Sequence, residues 1–158
     1  MNKLLSEARN AFAFAIRVYW EDTDAGGIVF YANYLKFLER ARSEWLRSLG
    51  IQQQALREST GGMFVVSETH LKYHRPARLD DRLLVTVRVQ QRGRVGMTMV
   101  QRALWIPEHT VVEFPWLEPD SALLLCEGSI RVGWVNAATL RPDRIPTPVL
   151  AALASTPN

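Results

Sequence analysis

The sequence contains little cysteine and no long apolar run. Cys126 is the single cysteine among 158 residues, so no disulfide can form within the chain, and we expect a reducing, cytoplasmic compartment. It lies in residues 122–126, which are predicted to form a buried strand, so its thiol is expected to be inert. No apolar stretch approaches the ~20 residues of a membrane span, and the first residues lack the apolar core of a secretion signal.

A strong charge of one sign is also absent. The chain has 19 Lys and Arg against 16 Asp and Glu, a formal net charge of +3 at pH 7. It has no basic run with interleaved aromatic residues, so nucleic-acid binding is not expected. A mildly basic chain suits an anionic ligand, although solvated surface charge is the ordinary explanation. The length predicts one domain, with its core at about residues 12–146.

Alternating apolar residues predict five strands, at about residues 12–19, 63–74, 83–90, 95–106 and 122–135. A long helix is predicted over residues 34–49, with Gly50 as its C′ residue. Its expected apolar face consists of Leu35, Leu38, Ala41 (or Arg42), Trp45, Leu46 and Leu49. Consecutive strands without helices between them are expected to pair antiparallel. The prediction is therefore an α+β fold, with the helix packed on a five-stranded antiparallel sheet whose edges are open.

Residues 19–50 contain the stretch that suggests chemistry. Glu21, Asp22 and Asp24 place three carboxylates within four residues, where the first predicted strand ends. Gly26 and Gly27 follow, and glycine lets the backbone approach another group closely. The next residues are expected to enter the helix, so their N–H groups would be unpaired. A carboxylate beside such donors suits acyl transfer, but Asp22 and Asp24 could equally be helix caps.

Two segments of the sequence resemble metal-binding patterns, but metal binding is not expected at either. A calcium loop starting at Asp22 would put Gly26 and Asn33 where oxygen ligands belong, and no helix precedes it. His70 and His74 lie on a predicted strand, where that spacing separates their Cα atoms by ~13 Å. One metal ion cannot bridge that distance. No metal or other cofactor is therefore predicted.

A longer pattern resembles a known family. DTDAGGIVFYANYL at residues 22–35 is followed by FLERARSE at 37–44 and YHRPARLDD at 73–81. Glu127-Gly128-Ser129, Arg141-Pro142 and Ile145-Pro146 continue it. Together these stretches resemble the hotdog-fold acyl-CoA thioesterases, most closely the Tol–Pal-associated branch and the 4-hydroxybenzoyl-CoA thioesterases. The resemblance covers about residues 14–146 and implies the hotdog fold and thioester hydrolysis.

The resemblance also implies roles for individual residues. Asp24 would be the nucleophile or general base, and Asp22 a structural residue. The amides of Ile28, Val29, Phe30 and Tyr31 would polarise the thioester carbonyl, and Gly26, Gly27 and Asn33 would bind the substrate, although helix capping or core packing explains Asn33 equally well. Arg75, Arg78, Arg92 and Arg94 are candidates for binding CoA phosphates because they lie on predicted loops and carry the matching charge. The implied partners are an acyl-CoA substrate, an acyl carrier protein, and further copies of the chain, in a dimer or tetramer with the active site between subunits.

Two departures and two alternatives accompany the resemblance. Phe30-Tyr31 stands where Tol–Pal members more often carry Tyr-His, so no histidine role is carried over. Residues 107–120 form a longer excursion than is usual, and could cover a pocket, contact a subunit or pack on their own chain. The alternatives are a non-catalytic acyl-CoA or acyl-carrier-protein binding module and a hotdog hydratase or dehydratase. The hydratase branch expects an Asn-Pro-x-His pattern, which this sequence lacks.

Overall fold

The computed structural model describes residues 11–113 and 118–154, so the predictions for the first ten residues and for Phe114, Trp116 and Leu117 lie outside the described residues. Five strands and three α-helices are described, with short 3-10 turns at Trp20–Asp22 and Tyr31–Asn33. The strands are β1 Phe12–Arg17, β2 Gly62–Tyr73, β3 Arg82–Arg92, β4 Gly96–Trp105 and β5 Leu123–Asn136. The helices are α1 Tyr34–Ser48, α2 Gln53–Thr60 and α3 Thr147–Ala154. These bounds confirm the predicted order of elements.

Helix α1 lies on one face of the sheet and contacts β1, β3 and β4. Phe37, Leu38, Ala41, Trp45 and Leu46 are at most 5% exposed, as a single stripe at helical spacing requires. The prediction for Leu35 is wrong: it is 43% exposed, and its place in the stripe is taken by Phe37. Gly50 has φ +80° and its N–H donates to Arg47 O, which confirms it as the C′ residue.

All five strands pair antiparallel in the order β1-β3-β4-β5-β2. The expectation that consecutive strands pair with each other fails for β2, which pairs with β5 and forms an edge of the sheet. Residues 74–81 carry the chain from that edge past two strands to β3. Three strand spacings amount to ~14 Å, which eight residues span easily because an extended chain covers ~3.3 Å or more per residue.

Residues 107–113 and 118–122 lie against the opposite face of the sheet. There Leu84, Leu104 and Ile106 are at most 1% exposed, and Val112 and Ala122 pack over them. Glu108 accepts hydrogen bonds from the Arg17 guanidinium at 2.6 and 2.5 Å, and Arg102 bonds Glu118 at 2.7 Å. Of the three roles open for the excursion, packing on its own chain is the one its described residues display.

Candidate active site

Asp24 opens a small hairpin between β1 and α1. Its N–H donates to Ile28 O at 2.8 Å, and Gly27 N–H donates back to Asp24 O at 3.0 Å. Thr23 and Val29 pair on either side of this turn. The Asp24 side chain is exposed, and its Oδ1 accepts the Gly26 N–H at 2.8 Å. The hairpin thus holds one carboxylate oxygen and leaves the other without a partner among the described residues.

The two glycines have different functions in this turn. Gly27 has φ +76°, which an L side chain would strain, whereas the space around it is open. Gly26 has an ordinary φ, but a Cβ there would lie 3.1 Å from Asp24 Oδ1. Gly27 therefore allows the chain to turn, and Gly26 allows the carboxylate to lie against the backbone.

Asp22 connects the end of β1 to the start of the helical segment. It is 4% exposed, and its Oδ2 accepts the Tyr19 N–H at 2.8 Å. Its carbonyl oxygen accepts the Phe30 N–H at 3.0 Å and the Asn33 Nδ2 at 2.8 Å. These contacts join the end of the first strand to the start of the helical segment, and one N–H of the Asn33 amide is bonded to Asp22 instead of being available to a substrate.

The residues directly after the two glycines do not enter the helix, which contradicts the expectation for them. Ile28 pairs with Arg78 in an isolated bridge, and Val29 N–H donates to Ala77 O at 2.9 Å. The N–H groups of Val29 and Phe30 are thus occupied, because Phe30 donates to Asp22. The first turn begins at Tyr31, whose N–H has no acceptor among the described residues; the same holds for Ile28. The set of four candidate amides thereby narrows to Ile28 and Tyr31.

Three tyrosines surround the start of this turn. The Tyr73 hydroxyl, at the end of β2, donates to Tyr31 O at 2.9 Å, and its ring meets the rings of Tyr31 and Tyr34 edge-on at 6.3 and 5.5 Å. Burial raises the pKa of Tyr34 to about 12, although the Ala77 backbone beside its hydroxyl lowers it in part. The contact made by Tyr73 was not predicted, although Tyr73 stands in the motif at residues 73–81.

The candidate arginines divide into two groups. Arg78 is exposed and pairs with Ile28 of the hairpin, and Arg75 is exposed on the same loop. Arg92 and Arg94 lie at the β3–β4 turn, beside Gly96, which pairs with Gly133 of β5. Tyr73, at the end of β2, pairs with Cys126 of β5. Because Cys126 and Gly133 are seven residues apart on β5, Arg92 and Arg94 lie ~23 Å from the Tyr73 end of the sheet within one chain.

The single cysteine takes no part in this site. Cys126 is fully buried on β5, and burial raises the pKa of its thiol to about 11. The thiol is therefore protonated at neutral pH, as expected for an inert core residue.

Comparison with known proteins places this chain in a defined family. Residues 26–107 match the model of the thioesterase superfamily, and the chain belongs to that superfamily. The acyl-CoA thioesterase YbgC of Haemophilus influenzae is 36% identical over 143 residues, which cover 90% of this chain and 94% of that protein. The acyl-CoA thioester hydrolase YbgC of Escherichia coli is 35% identical over 140 residues, with 89% and 93% covered. The predicted class, a thioester-hydrolysing enzyme, is confirmed.

A solved structure agrees with the fold. A 4-hydroxybenzoyl-CoA thioesterase mutant complexed with 4-hydroxybenzoyl-CoA superposes with a TM-score of 0.77 at 14% identity, covering 90% of this chain and 98% of that one. This likeness confirms the hotdog arrangement of one long helix on a five-stranded antiparallel sheet. Within the described residues, no helix combines the length and apolarity that crossing a bilayer requires.

Proposed function

We propose that the protein hydrolyses an acyl-CoA thioester with Asp24 as the catalytic carboxylate. The observation that carries this proposal is the Asp24 side chain itself. It is exposed at a tight hairpin, with Oδ1 fixed by Gly26 N–H and Oδ2 without a partner in the described residues. Thr23 pairs with Val29 across the hairpin, which leads directly to Tyr31, whose N–H has no acceptor in the described residues and is available to a carbonyl oxygen.

Two reaction paths fit this geometry. In the first, Asp24 takes a proton from water, the water oxygen attacks the thioester carbon, and Tyr31 N–H stabilises the oxyanion until CoA thiolate leaves. In the second, Asp24 attacks the carbon, CoA thiolate leaves, and water hydrolyses the resulting anhydride. The first is favoured because the Gly26 N–H stabilises the carboxylate charge, which lowers its nucleophilicity. A single turnover in ¹⁸O-water separates them, since only the anhydride path puts label into Asp24.

The site is completed by a second copy of the chain. Strand β2 is a 12-residue edge strand, and Val66 on it is 50% exposed. Antiparallel pairing of two such edges would bring the Tyr73 end of one strand against the Gly62 end of the other. Arg92 and Arg94 of one copy would then approach the hairpin of the other, where Arg75 and Arg78 already lie. A dimer or larger assembly in the cytoplasm is therefore part of the proposal, with an acyl carrier protein as a further candidate carrier of the acyl group.

A thiol-release assay with a panel of acyl-CoA esters tests the reaction. Asp24→Asn keeps the shape and removes the charge, so we expect correct folding and a loss of activity. Glu21→Gln is the matched control, because Glu21 is an exposed carboxylate three residues earlier. Wild-type turnover in folded Asp24→Asn would refute the assignment of Asp24. Binding of acyl-CoA with no turnover in the wild type would favour a binding module instead.

A further inference from the structure

A cavity of about 150 Å³ lies between α1 and the β2 side of the sheet, away from the Asp24 hairpin. Its walls are largely apolar and are formed by Trp45, Leu46, Phe64, Met97, Met99 and Val132. An apolar cavity of about 150 Å³ in another protein binds a molecule of the size of benzene. The size and walls of the cavity beside α1 suit a short chain of methylene groups.

One cation lines this apolar cavity. Arg42, on α1, is half-buried, and its Nη1 donates to Gln101 Oε1 at 2.9 Å. Gln101 is fully buried on β4 and donates from Nε2 to Leu38 O at 3.0 Å. The guanidinium is thus held in place by an amide that is itself fixed between helix and sheet.

The Arg42 guanidinium retains donors that this contact does not use. A guanidinium has five N–H groups, and no carboxylate of the described residues lies within 4 Å of it. Glu39 borders the cavity one turn earlier but is exposed, and its Oε1 accepts the Ser43 hydroxyl at 2.8 Å. A half-buried cation without a paired carboxylate favours a ligand that brings an acceptor.

In the proposed dimer, the cavity of one chain would lie closer to the hairpin of the other chain than to its own. Val65 and Val66 of β2 border the cavity, whereas Tyr73, which contacts Tyr31, ends the same strand. Along α1, Arg42 lies eleven residues after Tyr31, or ~16 Å, and along β2 seven residues separate Val66 from Tyr73, or ~23 Å; both distances exceed the length of a short acyl group. If two β2 strands pair antiparallel over their length, Val65 and Val66 of one lie opposite His70 and Thr69 of the other, which is ~10–13 Å from the neighbouring Tyr73.

We propose that this cavity receives the far end of the acyl group, and that Arg42 selects acyl groups that end in a carboxylate. This inference rests on the proposed function and adds a substrate class to it: dicarboxylic acids joined to CoA through one end. The apolar walls would contact the methylene chain, and the free guanidinium donors would bind the terminal carboxylate. A methyl-ended acyl group would leave the guanidinium half-buried without that acceptor.

Calorimetric binding to the Asp24→Asn protein tests this selection without turnover. Adipoyl-CoA and hexanoyl-CoA both carry six-carbon acyl groups. The adipoyl group ends in a carboxylate, whereas the hexanoyl group ends in a methyl group. We expect adipoyl-CoA to bind at least about ten-fold more tightly, because charge-assisted hydrogen bonds exceed 1.4 kcal/mol, which is a factor of ten. Adding Arg42→Met should abolish the difference, whereas adding Arg40→Met, an exposed site on the same helix, should preserve it.

Arg42→Met leaves Gln101 Oε1 buried without its donor, so the double change Arg42→Met with Gln101→Leu is measured beside it. Both should remove the preference while each protein unfolds cooperatively. Equal affinities in the Asp24→Asn protein, or a preference that survives Arg42→Met, would overturn the inference. In either case wild-type turnover of hexanoyl-CoA would leave the proposed hydrolysis intact, whereas no turnover and no binding of either ester would reject the function itself.

Discussion

Replacing Tyr73 by phenylalanine removes a single hydrogen bond beside the proposed oxyanion donor. The Tyr73 hydroxyl donates to Tyr31 O at 2.9 Å, and Asn33 N–H donates to Phe30 O at 2.8 Å. The peptide groups on both sides of Tyr31 are therefore held by their carbonyl oxygens, which fixes the direction of the Tyr31 N–H. Phenylalanine keeps the ring contacts with Tyr31 and Tyr34 and removes only the hydroxyl.

The size of the effect follows from the strength of that bond. A neutral hydrogen bond contributes ~0.5–1.5 kcal/mol net, a factor of about two to twelve in the population of the correctly held turn. Loss of an oxyanion donor outright would cost ~10²–10³ in rate, which sets the upper limit. We therefore expect kcat to fall about three- to ten-fold with KM changed less than about two-fold, because the amide acts in the transition state.

Steady-state thiol release at saturating acyl-CoA measures kcat, and urea denaturation measures the accompanying loss of stability. Tyr19→Phe is the control, since Tyr19 is a 61% exposed tyrosine in the same region. An unchanged kcat, with ~1 kcal/mol of stability lost, would refute the argument. That result would mean that the bond supports the fold without positioning Tyr31.

The remaining predictions concern packing and burial. Gly27→Ala should cost ~1–2 kcal/mol in urea denaturation because of its φ of +76°, whereas Gly26→Ala should lower kcat up to about ten-fold by displacing the Asp24 carboxylate. The Tyr34 pKa of about 12 lies above that of the unfolded chain, so stability should be lost as pH rises from about 10 to 12. That loss should be smaller in Tyr34→Phe when unfolding is followed against pH. Leu104→Ala should cost ~2–5 kcal/mol because Leu104 is fully buried, and Glu108→Gln should change stability little. Neither should affect kcat, and a loss of activity in Glu108→Gln would contradict self-packing of residues 107–113 and 118–122.

The spacing of apolar residues predicted most of the fold because the boundaries of strands and helices depend on neighbouring residues. The five strands and α1 lie within about three residues of their predicted positions, since alternation and helical spacing record which side chains face the core. Leu35 was wrongly placed because an apolar side chain at the edge of a helical stripe gives no sign of its exposure. The pairing of β2 with β5 was not predicted, because the composition of the loop at residues 74–81 does not indicate that it passes two strands.

The site shows the same division between local and distant contacts. Asp24, Gly26 and Gly27 were singled out from adjacent residues, and the hairpin joins them through bonds between close neighbours. The N–H groups of Val29 and Phe30 are wrong candidates for polarising the thioester carbonyl, because that prediction requires a helix directly after the glycines. These N–H groups bond Ala77 and Asp22 instead, and the Ala77 contact depends on a loop almost fifty residues away.

Strand β2 extends between the two sites proposed for this chain, the Asp24 hairpin and the Arg42 cavity. The strand carries Tyr73 beside the hairpin at one end and borders the Arg42 cavity near the other. A short acyl group does not reach both in a single chain, since ~16 Å of α1 separates Tyr31 from Arg42 and ~23 Å of β2 separates Tyr73 from Val66. In the proposed dimer, antiparallel pairing of two edges would reverse one strand against the other and bring each hairpin closer to the cavity of its neighbour. The open edge would then serve assembly and substrate binding together, and a change that blocks pairing should remove turnover even though Asp24 is intact.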